Sequence, residues 1–294
     1  MPSDTEFELR PRDVRASFNR AARHYDEHAF LQREIGDRLV DRLGFMRLTP
    51  ALVVDLGAGT GYCARRLEQQ YSQSHVLLID LASDMLTTAR QQARRWFSKQ
   101  LFMTADATQL AVRDSAADLV FSNLMLQWCD ELNSAFSECR RVLRPGGLLL
   151  FSTLGPDTLC ELRTAWAAVN ETPHVNRFLD MHDVGDALVN AGFSSPVLDR
   201  EFVTLTYADV VAVMRDLKSI GAHNVQAQRA RGLFGKRALG AITTAYEPFR
   251  VDGRLPCTYE IIFGHAWAPT ATTRVQDGST VATFPFKNLK RRDL

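Results

Sequence analysis

The chain has 294 residues, enough for one large hydrophobic core or two modest ones, and its 46% hydrophobic and 23% charged residues are those of an ordinary globular protein. Lys+Arg 35 against Asp+Glu 34 leaves a net charge of +1, so no overall field draws it to nucleic acid or to an anionic membrane. Five scattered cysteines without a C-x-x-C pair, a charged stretch from Asp4 to Arg15 and no apolar run near ~20 residues point to a reduced, cytoplasmic protein without signal peptide or membrane span.

Residues 1–15 are polar and expected to be flexible. From Val14 to Leu43 the spacing of Leu31, Ile35, Leu39 and Leu43 predicts one face of a helix, stopped before Thr49-Pro50. Leu52 to Leu56 reads as a buried strand that runs through Gly57-Ala58-Gly59-Thr60-Gly61 into a helix over Tyr62 to Gln70. Val76 to Ile79 reads as the second strand and ends at Asp80. A helix striped by Met85, Leu86, Ala89, Ala93 and Trp96 follows, with Ser83 or Asp84 expected as its cap. Leu101 to Thr104 is the third strand, before Asp106-Ala107, and Leu119 to Phe121 the fourth, before Ser122-Asn123. A helix carrying Leu132, Ala135, Phe136, Cys139 and Leu143 leads through Arg144-Pro145-Gly146-Gly147 to a fifth strand, Leu148 to Phe151. Strands alternating with helices of this size predict the α/β class, a doubly wound, mostly parallel sheet covered on both faces.

After Thr153 the pattern changes. Helices are expected over 155–170 and 182–191, a strand over Val197 to Leu205, and a helix marked by Val210, Val213, Met214 and Leu217. Tyr259 to Phe263 is the last strand and brings the sheet to seven. Residues 209–253 interrupt two neighbouring strands and read as a helical lid insertion. The Thr-rich tail from 269 to 294 lacks a core pattern and is expected to be disordered, which leaves 16–268 as one domain.

The chemistry centres on Asp55-Leu56-Gly57-Ala58-Gly59-Thr60-Gly61. A dinucleotide fingerprint needs its third glycine at position 62, which is Tyr62. The D-x-G-x-G-x-G spacing instead resembles motif I of class I methyltransferases that use S-adenosylmethionine (SAM), a cofactor without a pyrophosphate to seat on a helix N-terminus. Asp55 is expected to orient the glycine loop or to meet the cofactor's ammonium group. Asp80, at a strand end, serves either as a local cap or, after such a loop, as acceptor for two ribose hydroxyls. Asp106 is either a cap or an acceptor for the adenine amino group, with Ala107 beside it. Asn123 and Gln127 follow the fourth strand, where Asn123 either holds backbone or meets the cofactor's amino-acid end. Tyr25 is either an amphipathic core residue or a phenol near the transferred methyl. The seven histidines show no metal-binding spacing, and no metal is expected.

Several longer stretches are more specific. Phe18-Asn19-Arg20-Ala21-Ala22, Tyr25-Asp26, Leu31-Gln32, Asn123-Leu124, Leu126-Gln127-Trp128 and Phe151-Ser152-Thr153-Leu154-Gly155-Pro156-Asp157-Thr158-Leu159 resemble the malonyl-[acyl-carrier protein] O-methyltransferase family of biotin synthesis. So do Phe178, Asp180-Met181-His182-Asp183, Leu205-Thr206-Tyr207, Met214-Arg215-Asp216-Leu217-Lys218, Ile220-Gly221-Ala222, Asn224 and Tyr259-Glu260. The resemblance spans about residues 12–267, with Asn19 where relatives are expected to carry an acid. It implies methyl transfer from SAM to the free carboxylate of a malonyl thioester, on acyl-carrier protein or on CoA. Arg215, Lys218 and Arg231 are then candidates to hold that carboxylate, with solvated-face readings open for each. A methyltransferase for another small carboxylic acid is the alternative, as is a SAM-binding assembly or hydroxylase factor, whose branch shares the N-terminal and glycine-loop motifs.

Overall fold

The computed structural model describes residues 9–93, 98–170, 174–221 and 235–270, with the backbone of 274–276 and 279–281. Seven strands form one sheet: β1 (Leu52–Leu56), β2 (His75–Asp80), β3 (Gln100–Thr104), β4 (Ala117–Asn123), β5 (Leu143–Leu154), β6 (Ser194–Tyr207) and β7 (Leu255–Trp267). Their order is β3-β2-β1-β4-β5-β7-β6. The first five run parallel, while β7 is antiparallel to both β5 and β6. The strand order therefore reverses between β1 and β4, the place where a doubly wound sheet opens a crevice at its carboxyl ends.

Successive residues of β1 serve opposite faces, as the two-residue period of a strand requires. Val53 packs with α3 (Phe30–Arg42) and α4 (Tyr62–Gln70), and Val54 packs with α6 (Leu132–Val142) and α8 (Met181–Asn190). Both valines are fully buried, each worth roughly 1.5–3 kcal/mol of apolar transfer. β1, the α4 boundaries and the strand ends at Asp80 and Thr104 lie where the sequence places them.

Five expectations need correction. The N-terminal helical stretch is three helices, not one: α1 (Pro11–Ala21), α2 (Tyr25–His28) and α3. The breaks at His24 and Ala29 aim Asp26 at the glycine loop: Thr60 Oγ1 donates to it at 2.6 Å and Gln92 Nε2 at 2.7 Å. Helix α1 also enters the stretch expected to be flexible, with Leu9 and Val14 buried against Phe18 and Trp128. In α5 (Ser83–Gln92) the cap is Ala82, not Ser83 or Asp84, and the Asp84 N–H is taken by Asn19 Oδ1 of α1 at 3.0 Å. Trp96, expected on that helix, lies outside the described residues. The segment 155–170 begins as turns and is helical only in α7 (Cys160–Ala167), because Glu260 takes the Asp157 N–H and Thr158 pairs with the β7 backbone. In the tail, two short strands, β8 (Arg274–Gln276) and β9 (Ser279–Val281), pair as a hairpin.

The insertion between β6 and β7 contains α9 (Val210–Ser219) and α10 (Lys236–Tyr246). Asp209 caps α9 by accepting from the Ala212 N–H at 2.8 Å. Val210, Val213 and Leu217 are buried on the core, as their spacing predicts. At the end of α9, Ser17 Oγ of α1 donates to the Gly221 carbonyl at 3.1 Å, which ties the insertion to the N-terminal helix. No helix among the described residues is long and apolar enough to cross a membrane.

Candidate active site

The crevice at the switch point is a cleft of about 370 Å³. Its floor is the glycine loop after β1, its walls the ends of β2, β3 and β4, and its outer rim α1 and α2. Gly57 lies in the left-handed region at φ +75, and a Cβ there would overlap the Met125 side chain. Gly61 starts α4 at φ +76, and a Cβ there would stand 3.0 Å from Ala89. Only glycine meets both demands.

Asp80 braces this loop. Its Oδ2 accepts the Gly59 N–H at 2.8 Å and its Oδ1 accepts the Ala82 N–H at 2.8 Å. Each carboxylate oxygen can accept one more hydrogen bond, and Asp80 lines the cleft. Burial raises its pKa to about 6 against the pull of those two amides. Asp55 is buried behind the loop, in a smaller cavity shared with Gly57, Ala58 and Gly59, and its Oδ2 has no hydrogen-bond partner among the described residues. Burial, and then the Asp80 charge, raise it to about 7.

Asp106 Oδ1 accepts from both the Thr108 N–H at 2.9 Å and its hydroxyl at 2.8 Å, a local turn that still leaves Asp106 and Ala107 on the cleft wall. Asn123 is committed inside the protein: Nδ2 donates to the Gln32 carbonyl and Oδ1 accepts from Ser152, each at 2.8 Å. Of its two sequence readings, the backbone-holding one is realised, although the residue borders the cleft. Gln127 is a correction, because it faces the neighbouring cavities and not the cofactor cleft. It is turned there by bonds to the Leu124 carbonyl and Thr153.

Tyr25 stands where three cavities meet. Burial and then the Asp80 charge raise the pKa of its phenol, so it stays a neutral hydroxyl able to donate. Arg215 and Lys218 are a second correction: both are exposed on α9 and line none of the described cavities, since the helix spends its inward face on Val213 and Leu217. Arg229 and Arg231 lie outside the described residues. Residues that sequence reasoning did not assign to a site complete the lining, among them Met85, Cys129, Asp130 and Glu131 around the cleft and Asn176 beyond it. No spacing marks them; the sheet alone brings them together.

Four acids, Asp80, Asp106, Asp130 and Glu131, face the cleft, and no Lys, Arg or His among the described residues does. That lining fits SAM, a cofactor carrying sulfonium and ammonium charges, and a cationic ligand would also favour the ionised form of Asp55. The Asp55-x-Gly57-x-Gly59-x-Gly61 spacing of the switch-point loop, the acid that ends β2 and the acidic lining together are those of a class I SAM-dependent methyltransferase.

Comparison with known proteins agrees. Residues 54–151 match the family described as "Methyltransferase domain". A putative methyltransferase from Bacillus halodurans C-125 superposes with a TM-score of 0.57 over 80% of this chain and 100% of that one, at 19% identity, a likeness of fold. The malonyl-[acyl-carrier protein] O-methyltransferase of Gallionella capsiferriformans is 46% identical over 287 residues, covering 96% of this chain and 99% of its own length. That of a Methylovorus species is 50% identical over 92% of this chain and 93% of its own. The chain belongs to the malonyl-[acyl-carrier protein] O-methyltransferase family.

Proposed function

We infer that the protein transfers a methyl group from SAM to the free carboxylate of a malonyl thioester, the ester-forming step that primes pimeloyl synthesis for biotin. The observation that carries this reading is the reach of the similarity. The general methyltransferase match stops at residue 151, whereas the 46–50% identity to the malonyl-carrier-protein enzymes runs over 92–96% of the chain. The half beyond β5, which has to recognise the acceptor, is therefore included.

SAM supplies the activated methyl group when bound. The rest is the work of this chain. Asp80 and Asp106 line the cleft and offer acceptors to the ribose and adenine ends, while Asp55, buried behind the glycine loop, acts on the amino-acid end through its charge. A malonyl carboxylate, with a pKa near ~4, is already ionised at neutral pH, so the reaction calls for no general base. What the protein must add is in-line positioning, worth up to ~7–11 kcal/mol in favourable cases. It must also provide a dry enclosure, because an anion meeting a cation loses charge on the way to the transition state. Tyr25 and the buried face of α9 supply that enclosure.

The acceptor is carried by acyl-carrier protein, with malonyl-CoA as a smaller surrogate. Arg215, Lys218 and Arg237 are exposed on the insertion and offer an acidic carrier protein a basic surface. Incubation with methyl-labelled SAM tests the reading: label should enter malonyl-carrier protein and leave as methanol in mild base. Label that enters neither malonyl-carrier protein nor malonyl-CoA would overturn it.

A further inference from the structure

Between the cofactor cleft and α9 lies a smaller cavity of about 50 Å³. It shares Phe18, Tyr25, Leu124 and Trp128 with the cofactor cleft. On its other side it shares Gln127, Leu154, Asn176 and Phe178 with an outer cleft of about 340 Å³. It therefore sits between the cofactor cleft and the outer cleft. A single water needs ~10–15 Å³ on this measure, so the space suits a group of carboxylate size. Leu217 and Ile220 of the insertion close it, and no charged side chain among the described residues lines it.

Two side-chain amides in its wall are unsatisfied. Gln32 Oε1 and Asn176 Oδ1 are buried and have no hydrogen-bond partner among the described residues. Asn176 is only 6% exposed. Gln127, beside them, has both of its polar atoms engaged. Leaving a buried polar group unmatched costs a fold ~1–3 kcal/mol, and here two residues of one small cavity wall each carry such an unmatched amide. The oxygen and NH₂ of a carboxamide are nearly isosteric, so a half-turn can present N–H donors to a carboxylate.

We propose that this cavity receives the acceptor carboxylate, with the side-chain N–H groups of Gln32 and Asn176 turned onto its oxygens. The proposal rests on the malonyl-thioester reading and deepens it. Tyr25, neutral and at the wall shared with the cofactor cleft, is placed to donate a third hydrogen bond. Neutral donors suit this reaction. They fix the direction of the attacking oxygen while leaving its charge to be lost in the transition state, whereas a guanidinium would hold the ionised ground state back. The outer cleft then accommodates the thioester and its arm.

The test is calorimetric binding of malonyl-CoA and acetyl-CoA to protein saturated with S-adenosylhomocysteine, for wild type, Asn176→Leu and the isosteric Asn176→Asp. Asn176 does not line the cofactor cleft, so affinity for S-adenosylhomocysteine should stay within about twofold and reports intact folding. Wild type should prefer malonyl-CoA. Asn176→Leu should weaken malonyl-CoA about tenfold or more and leave acetyl-CoA unchanged, removing the preference. Asn176→Asp, which sets a carboxylate against a carboxylate, should weaken malonyl-CoA further. Variants that fold and keep the wild-type ratio of the two thioesters would overturn the proposal. A wild type that methylates no malonyl thioester would instead overturn the functional reading beneath it.

Discussion

Replacing Asp80 by Asn tests how the cleft holds its cofactor. In the folded protein both carboxylate oxygens already accept a backbone N–H, from Gly59 and from Ala82, each at 2.8 Å. Asp80 lines the cleft, and each of its oxygens has capacity for one further acceptor bond, so the expected partners are two ribose hydroxyls. An Asn keeps the shape but turns one acceptor into a donor, which cannot satisfy both a backbone N–H and a hydroxyl on that side. Hydrogen bonds to a charged group are worth ~1.5–3 kcal/mol, so S-adenosylhomocysteine should bind about 10- to 100-fold more weakly. The pH profile carries a second signature. Burial holds Asp80 near about 6, so below that pH a proton competes with the cofactor. Wild-type affinity should then fall by up to about tenfold per pH unit, and the variant's profile should be flatter. Calorimetric titration from pH 5 to 8 measures both. An Asp80→Asn protein that folds, binds with wild-type affinity and keeps the wild-type profile would refute the ribose assignment.

Gly57→Ala should cost several kcal/mol in denaturant unfolding, from ~1–2 of left-handed strain and ~1–3 of overlap with Met125; a stable variant would show that the loop can relax. Asp55 has a folded pKa near about 7, above its ordinary 3.8, so the fold holds its proton and loses stability as pH rises between those values. Asp55→Asn should therefore gain on wild type in thermal unfolding as pH goes from 5 to 7.5; a constant difference would contradict the burial argument. Arg215→Ala and Lys218→Ala should reduce transfer to malonyl-carrier protein most at low salt and leave malonyl-CoA turnover near wild type, since both side chains are exposed. Equal losses on both substrates would place these cations at the carboxylate after all.

The parallel half of the fold was legible because each of its elements carries its own local signal. A run such as Leu52–Leu56 can only be a buried strand when three glycines and a helical stretch follow it. The placement of Asp80 and Asp106 on the cleft was readable for the same reason, as acids at strand ends in a sheet whose ligand side is fixed by topology. The broken N-terminal helices were not legible, because their breaks at His24 and Ala29 answer to tertiary bonds between Asp26, Thr60 and Gln92. Arg215 and Lys218 looked suitable by residue type, but the inward face of α9 was already taken by its apolar stripe. Asn176 had no signal at all: a lone Asn becomes conspicuous only once its burial and its missing partner are visible.

The central claim is that a free carboxylate on a malonyl thioester accepts the methyl group. Single-turnover transfer from labelled SAM tests it most directly, comparing malonyl-carrier protein with acetyl-carrier protein and with the carrier bearing the half-amide of malonate. The account predicts one base-labile methyl ester on malonyl-carrier protein and no label on either of the others. Comparable labelling of the acetyl or half-amide carrier, or a label on malonyl-carrier protein that resists mild base, would contradict it.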